Sequence, residues 1–143
     1  MMSKSVQCDI VSAEKAIFSG KVVQVVANGI EGELGIRAGH TPLLTQLAPG
    51  PVEIRRENGE EEVLYVSGGF LEVQPDMISI LADTAERARD LDEAEAKRAR
   101  EKAEQEMKDK SSELNFSKAL SDIAEANARL RTLNSLKQKK QRQ

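Results

Sequence analysis

Apolar and polar residues alternate with a period of two along the first part of the chain, as in β-strands that bury one face. Val6–Val11 is the clearest example, because Val6, Cys8 and Ile10 alternate with polar neighbours. We therefore expect Cys8 to be a small core residue. Further strands are predicted between glycine, proline and asparagine turns, at Ile17-Phe18 (ending at Ser19-Gly20), Lys21–Ala27 (closed by Asn28-Gly29), Val52–Arg55, Glu62–Val66, Phe70–Val73 and Met77–Leu81.

Two pairs of these strands are predicted to form hairpins. Asn58-Gly59 lies between Val52–Arg55 and Glu62–Val66, and this dipeptide is the strongest short-range signal for a hairpin. Gln74-Pro75-Asp76 separates the last two strands in the same way. Six or more short strands at this spacing predict an all-β sandwich or flattened barrel of about 85 residues.

The stretch Glu31–Leu44 is predicted to be an exposed loop. Three glycines interrupt it, each suited to a positive φ or to a close backbone approach. Backbone groups in such a segment could not all be paired inside a core. The loop would present Glu33 and the only histidine of the chain, His40.

The chain beyond Pro75 is predicted to be helical. All nine glycines and all four prolines lie at or before that residue, so the turn signals stop there. Asp90 is the expected N-cap of a first helix from Leu91 to about Lys110, with Glu93 completing a capping box.

Apolar stripes predict that a second helix packs on the first as an antiparallel hairpin. Ser111-Ser112 separates the two helices, and Ser112 or Asn115 is the expected cap of the second. The stripe of the first helix consists of Ala96, Ala99, Ala103 and Met107. The stripe of the second consists of Phe116, Ala119, Leu120, Ile123, Ala126, Leu130 and Leu133. Because alanines bury little area and a two-helix hairpin alone is marginal in water, we expect a mobile arm on a rigid β-domain.

Charge is distributed unevenly along the chain. Through Asp90 there are 14 acids and 8 bases, and after it 10 acids and 13 bases. The last fifteen residues carry six bases and no acid, which suits an acidic partner or a solvated helix end. The N-terminus lacks the apolar core of a signal peptide, and no window approaches the roughly 18 apolar residues of a membrane span. We expect a protein of the cytosol, linked to a membrane only through partners.

The residues that enzymes and cofactor sites require are missing. One histidine and one cysteine, far apart in sequence, form no recognisable catalytic dyad or metal set. No phosphate-binding glycine motif is present, so we expect no catalytic residue, no metal and no cofactor. Nucleic-acid binding is disfavoured by the acidic β-domain and the 3% of aromatic residues. An adaptor whose basic C-terminal helix binds an acidic protein or nucleic acid is the alternative.

Four motifs follow one another along essentially the whole chain. They are Ser12-Ala13-Glu14 with Phe18-Ser19-Gly20, Gly32-Glu-Leu-Gly-Ile-Arg-Ala-Gly-His-Thr-Pro-Leu, Val66-Ser-Gly-Gly-Phe-Leu-Glu-Val-Gln-Pro, and Leu81-Ala-Asp-Thr-Ala-Glu-Arg-Ala. Together, in this order and at this spacing, they resemble the bacterial F-type ATP synthase epsilon subunit. The resemblance implies a β-sandwich of about ten strands followed by a helical hairpin, with residues 1–86 as a rotor-binding domain and residues 87–143 as a regulatory arm.

The resemblance also implies a non-catalytic rotor part at the cytoplasmic face of the bacterial inner membrane, peripheral to it. The sandwich would bind the gamma subunit and rest on the ring of c subunits, coupling proton flow to ATP synthesis, without any nucleic-acid partner. Glu33 matches the family's acid that meets the c-ring, and His40 matches the histidine near the gamma contact. A hydrogen-bonded turn histidine is the alternative for His40. Ala38 stands where the family usually has proline.

The helical arm resembles the family's inhibitory element, which extends toward the alpha/beta subunits and blocks ATP hydrolysis. The basic residues that such docking would use are Arg129, Arg131, Lys137, Lys139 and Lys140.

Some family members bind ATP on the folded arm, and this chain keeps only part of their motif. Glu86, Asp92, Ala96 and Arg129 match nucleotide-binding positions. Glu95 and Glu125, however, replace two arginines. Because the attraction and the bidentate contacts to a polyphosphate are lost, we predict very weak or absent ATP binding.

Overall fold

The computed structural model describes residues 4–108 and 113–141, which form nine β-strands, a short 3-10 turn and two α-helices. The strands are β1 (Val6–Ser12), β2 (Ala16–Gly29), β3 (Gly32–Arg37), β4 (Leu43–Leu47), β5 (Gly50–Arg56), β6 (Glu61–Val66), β7 (Gly69–Gln74), β8 (Met77–Ala82) and β9 (Ala85–Arg87). The 3-10 turn is Ala88–Asp90, and the helices are α1 (Glu93–Lys108) and α2 (Glu113–Gln141).

The strands form a flattened barrel of two layers that share β2. The N-terminal half of β2 pairs with β1, and β8, β7 and β4 follow in order. The C-terminal half of β2 pairs with β3 on one side and with β5 on the other, followed by β6 and β9. All pairs are antiparallel except β1 with β8. The β-sandwich predicted from the sequence is confirmed, with nine strands among the described residues.

Aliphatic side chains fill the space between the layers. Val6, Cys8 and Ile10 all point inward, as the alternation predicts. Burial raises the pKa of the Cys8 thiol to about 12, and the charge of Asp9 adds to the effect. The largest fully buried aliphatic side chains are Ile10, Ile36, Ile54, Leu64, Leu71, Ile78 and Ile80.

The two strands predicted at Ile17-Phe18 and Lys21–Ala27 are wrong in their limits, because they form one strand. The predicted end at Ser19-Gly20 does not exist, because these residues lie opposite Asp9 and Cys8 in the β1–β2 ladder. β2 is therefore one continuous strand of 14 residues. Both predicted hairpins are present, β5–β6 and β7–β8.

The stretch Glu31–Leu44 is not a simple loop. Its first half is β3, which forms a hairpin with β2 and buries Ile36 completely. Gly32, the first residue of β3, and Gly39, two residues after its end, have positive φ, whereas Gly35 lies within the strand. Gly32 and Gly39 thus mark the turns at the two ends of a strand.

The first helix begins later than predicted. Asp90 lies in the 3-10 turn, and the carboxylate of Asp92 accepts a hydrogen bond of 3.1 Å from the Glu95 amide, so Asp92 is the N-cap of α1. Because α2 begins at Glu113, Asn115 lies inside the helix. The predicted helix end at Lys110 and the Ser111-Ser112 break lie outside the described residues.

The two helices pack antiparallel along a narrow row of alanines. Lys137 near the end of α2 is paired with Glu93 at the start of α1, which fixes the antiparallel direction. The buried residues of this seam include Ala96, Ala103, Ala119 and Ala126. Phe116 and Leu120 are exposed, contrary to the prediction, and Ala99 is exposed as well. Because the residues of this seam are small, the contact between the helices is narrow and leaves Phe116 and Leu120 beside it exposed. No helix in the described part of the chain is both long and apolar enough to span a membrane.

Candidate functional site

One outer face of the sandwich is covered by the second helix. In β6, Leu64 and Val66 belong to the core between the layers. Val63 and Tyr65 alternate with them and therefore point outward, yet both are buried. Their cover is α2, which packs on β5 and β6. We call this covered outer face of β5 and β6 the docking face.

Arg129 of α2 forms the contact at one end of the docking face. Its Nη1 donates a hydrogen bond of 2.9 Å to Glu86, and its guanidinium carbon lies 4.7 Å from the centre of the Tyr65 ring. The Tyr65 hydroxyl is buried and has no hydrogen-bond partner among the described residues. Burial raises the pKa of Tyr65, while the charge of Arg129 opposes that shift.

Lys139 forms the contact at the other end of the docking face. Its Nζ lies 2.8 Å from Glu61 Oε2 and 3.9 Å from Glu53 Oε1. Arg55 donates to the other oxygen of Glu61 at 2.9 Å. The hydrogen bond from Lys139, followed by that from Arg55, lowers the pKa of Glu61. Because the Lys139 side chain is only 15% exposed, this contact is partly shielded from solvent.

The remaining predicted arm cations differ in the groups that they contact. Arg131 Nη2 donates to the backbone carbonyl of Pro49 at 3.0 Å, and Lys137 donates to Glu93 at 3.1 Å. Lys140 is exposed and forms no ion pair within the described residues. The basic end of the chain thus finds acidic partners on its own sandwich and on its own first helix.

A cavity of about 370 Å³ lies between the two helices. Asp92, Ala96 and Arg129, three of the predicted nucleotide-binding residues, line it, and Glu86 is joined to Arg129. Five acids and three bases line the cavity: Asp92, Glu95, Glu106, Asp122, Glu125, Lys102, Lys118 and Arg129. The structure brings the predicted residues together, but in an environment with an excess of negative charge.

The opposite outer face of the sandwich carries an exposed apolar row. Strand register places Val11 beside Leu81 and Leu81 beside Phe70 on the same side of the sheet. Leu44 on β4 is the diagonal neighbour of Phe70. Phe70, Leu81 and Leu44 are 52%, 58% and 70% exposed. We call Val11, Leu44, Phe70 and Leu81 the apolar row, and contiguous exposed apolar residues of this kind are typical of interaction surfaces.

Glu33 and His40 lie near opposite ends of β3, and Glu33 lines a small cavity with Arg131 and Glu53 at the edge of the docking face. Glu33 is exposed near the start of β3, opposite Asn28 of β2. His40 follows the end of β3, and its Nδ1 donates to the Thr41 carbonyl at 2.7 Å. The two residues are separated by the length of the strand, so they form no common site.

Sequence reasoning missed the residues that receive the arm. Glu53 and Glu61 belong to a chain rich in acids, and nothing in their local pattern distinguishes them from exposed neighbours such as Glu60. Tyr65 could have been found, since it is the only tyrosine and lies at an outward strand position. The apolar row could also have been predicted, because Phe70 and Leu81 are apolar residues at outward strand positions, where the alternation leads one to expect polar residues.

Comparison with known proteins identifies the family of this sequence. Residues 5–88 match the model of the ATP synthase delta/epsilon chain beta-sandwich domain, and residues 89–134 match that of its long alpha-helix domain. This chain belongs to the ATP synthase delta/epsilon chain family. The resemblance to the epsilon subunit is therefore confirmed.

One relative in the delta/epsilon chain family has a high sequence identity to this chain. The ATP synthase epsilon chain of Chromohalobacter salexigens is 62% identical over 135 residues, covering 94% of this chain and 96% of that protein. A chain in the cryo-EM structure of the Euglena gracilis mitochondrial ATP synthase has a TM-score of 0.81 at 23% identity, covering 87% of this chain and 78% of that one. A chain of the Tetrahymena thermophila mitochondrial ATP synthase central stalk and c-ring has a TM-score of 0.61 at 17% identity, covering 93% and 99%. These two structures share the fold of this delta/epsilon chain.

Proposed function

We propose that this protein is a non-catalytic central-stalk subunit of ATP synthase that couples rotation of a c-ring to ATP synthesis through the gamma subunit. It is a subunit of the ATP synthase complex and is peripheral to the membrane, at the cytoplasmic face of a bacterial inner membrane. The observation that carries the proposal is the difference between the two outer faces of the sandwich. One face is covered by the arm of the same chain, while the other exposes the apolar row.

The apolar row is the proposed contact with the gamma subunit. Three of its side chains are more than half exposed, and burying them against a partner would remove apolar area from water. Aromatic and aliphatic side chains of this kind form the centres of protein interfaces. The row lies on the layer away from the arm, so gamma can bind whether the arm is folded or not.

Glu33 is the proposed contact with the c-ring. It is exposed beside a turn at Gly32, whose positive φ permits close approach of the backbone. A carboxylate there can pair with a cation that the ring presents. We propose His40 only as a residue near the gamma contact, since its ring already holds the following turn.

The two helices are the proposed regulatory arm, which begins at residue 87 and inhibits ATP hydrolysis when it extends toward the alpha/beta subunits. The docking face supports an arm that can detach, because α2 is held at its ends by the ion pairs of Arg129 and Lys139, and the apolar side chains that it covers on β6 are Val63 and Tyr65. The five cations Arg129, Arg131, Lys137, Lys139 and Lys140 would then meet an acidic segment of a neighbouring subunit.

Removal of the arm tests the proposal in the assembled complex. Truncation after Asp90 is expected to raise the rate of ATP hydrolysis while the truncated subunit still assembles with gamma. The full-length chain reconstituted in parallel is the control. Unchanged hydrolysis with normal assembly would refute inhibition by the arm, and failed assembly of a folded sandwich would refute the stalk role.

The cavity between the helices is proposed to bind ATP very weakly or not at all. Its five acids outnumber its three bases, so a polyphosphate would be repelled. Isothermal titration calorimetry should detect no micromolar site. Exchanging Glu95 and Glu125 for arginine should increase ATP affinity, because both residues line the same cavity.

The adaptor alternative is disfavoured by the same contacts. A basic helix available for nucleic acid would need free cations, but Arg129, Arg131 and Lys139 are engaged with the sandwich. Salt-sensitive DNA binding by the isolated chain would favour the alternative.

A further inference from the structure

The cations that the arm needs for inhibition are the ones that hold it folded. Arg129, Arg131 and Lys139 each contact the sandwich, and Lys137 contacts the first helix. While the arm is docked, the Lys139 side chain is only 15% exposed against Glu61, so it is not available to a carboxylate of another subunit. The folded and inhibitory arrangements therefore compete for the same side chains.

Lys139 has the most developed of these contacts. It is approached by two carboxylates, from Glu53 on β5 and Glu61 on β6. The three side chains are 15%, 28% and 20% exposed, in the order Lys139, Glu53 and Glu61. Partly buried pairs are screened by salt much less than exposed ones. Lys140, the next residue, is exposed and has no ion pair within the described residues, so the chain itself provides a matched comparison.

We propose that Lys139, Glu53 and Glu61 form a charge latch that holds the arm on the docking face and sets how readily the arm is released. Opening the latch frees Lys139 and lifts α2 from Tyr65. The effect of the latch on ATP hydrolysis rests on the inhibitory function proposed above, but its effect on docking does not.

Tyr65 provides a direct measurement of docking in the isolated full-length chain. It is the only tyrosine, and there is no tryptophan, so the intrinsic fluorescence comes from this ring. Tyr65 is fully buried under α2, and its exposure should follow release of the arm. Quenching of its fluorescence by acrylamide, a neutral quencher, reports the fraction of undocked chains.

The test compares variants on both sides of the latch with neighbouring controls. The double variant Glu53→Gln/Glu61→Gln and the single variant Lys139→Glu should each increase the undocked fraction at least three- to tenfold, which corresponds to about 0.7–1.4 kcal/mol. Glu60→Gln and Lys140→Glu should leave quenching at the wild-type level.

The outcomes separate failure of the latch from failure of the proposed function. Circular dichroism of each variant checks that both the sheet and the helices persist. If Lys139→Glu loses helix, the glutamine variants decide the test, since they leave the arm unchanged. Equal quenching of the latch and control variants would overturn the latch.

Reconstitution of the glutamine variants then tests the link to inhibition. They keep every arm cation, so a released arm should inhibit ATP hydrolysis more strongly than the wild type does. Greater quenching without a change in hydrolysis would leave the latch standing and overturn the inhibitory function.

Discussion

Replacement of Phe70 by alanine should weaken binding to the gamma subunit about tenfold. Phe70 is 52% exposed at the centre of the apolar row, and full burial of a phenylalanine side chain contributes up to about 3 kcal/mol. The half that is still exposed can therefore contribute about 1.5 kcal/mol on binding, and 1.4 kcal/mol is tenfold in affinity. The half already buried makes the same substitution cost a similar amount of folding stability, which thermal unfolding would measure separately.

Phe116→Ala is the matched control for this prediction. Phe116 is 44% exposed, but it lies on α2, away from the apolar row. Titration calorimetry of each variant with a gamma-containing subcomplex should show weaker binding for Phe70→Ala only. If both variants bind gamma with wild-type affinity, the apolar row is not the gamma contact. If both lose affinity equally, the surface assignment is wrong.

Three further predictions concern the isolated chain. Gly69→Ala should lower the free energy of unfolding, measured in urea, by at least about 2 kcal/mol. The reason is that Gly69 has a φ of 131° and a Cβ there would lie 2.1 Å from the Leu81 carbonyl oxygen. Gly59→Ala is the control and should cost less, because Gly59 has a positive φ but open space around it. Cys8 should not react with maleimide at pH 7.5 until the protein is unfolded, since its thiol has a pKa raised to about 12; rapid labelling of the folded chain would contradict its burial. The pKa of Glu61 is lowered, so the contribution of its charge to docking is present above its ordinary pKa of 4.5 and is lost as the pH falls through the lowered value. The docking difference between wild type and Lys139→Ala, measured by Tyr65 quenching, should therefore be present at pH 7 and disappear in acid. A difference that persists below the transition would contradict the role of the Glu61 charge.

The sequence predicted elements whose pattern is local and failed where pairing is decided at a distance. The alternation around Cys8 was sufficient to predict β1, and the Asn58-Gly59 turn was sufficient for the β5–β6 hairpin. Ser19-Gly20 looked like a strand end, because a local signal cannot show that β1 pairs across it. Leu34, Ile36 and Ala38 alternate with Gly35 and Arg37, so a strand pattern was present around Ile36, but the surrounding glycines favoured the prediction of a loop.

Of the contacts between the arm and the docking face, the sequence predicted the cations of the arm but not their partners on the sandwich. The arm cations were evident as a run of bases without acids, whereas their partners were not. Lys139 meets Glu61 across 78 positions of the chain, and Arg131 meets Pro49 across 82. Such contacts depend on which outer face α2 covers, and the periodicity of α2 does not contain that information.

The arm is joined to itself and to the sandwich by two seams of different chemistry. Alanines join α1 to α2, while the contact of α2 with the sheet combines the buried side chains of Val63 and Tyr65 with ion pairs at both ends. Sulfate strengthens apolar burial and screens exposed charge, so it should strengthen the seam between the helices and have opposing effects on the seam with the sheet. Sulfate should therefore stabilise the association of the two helices more than their docking on the sandwich.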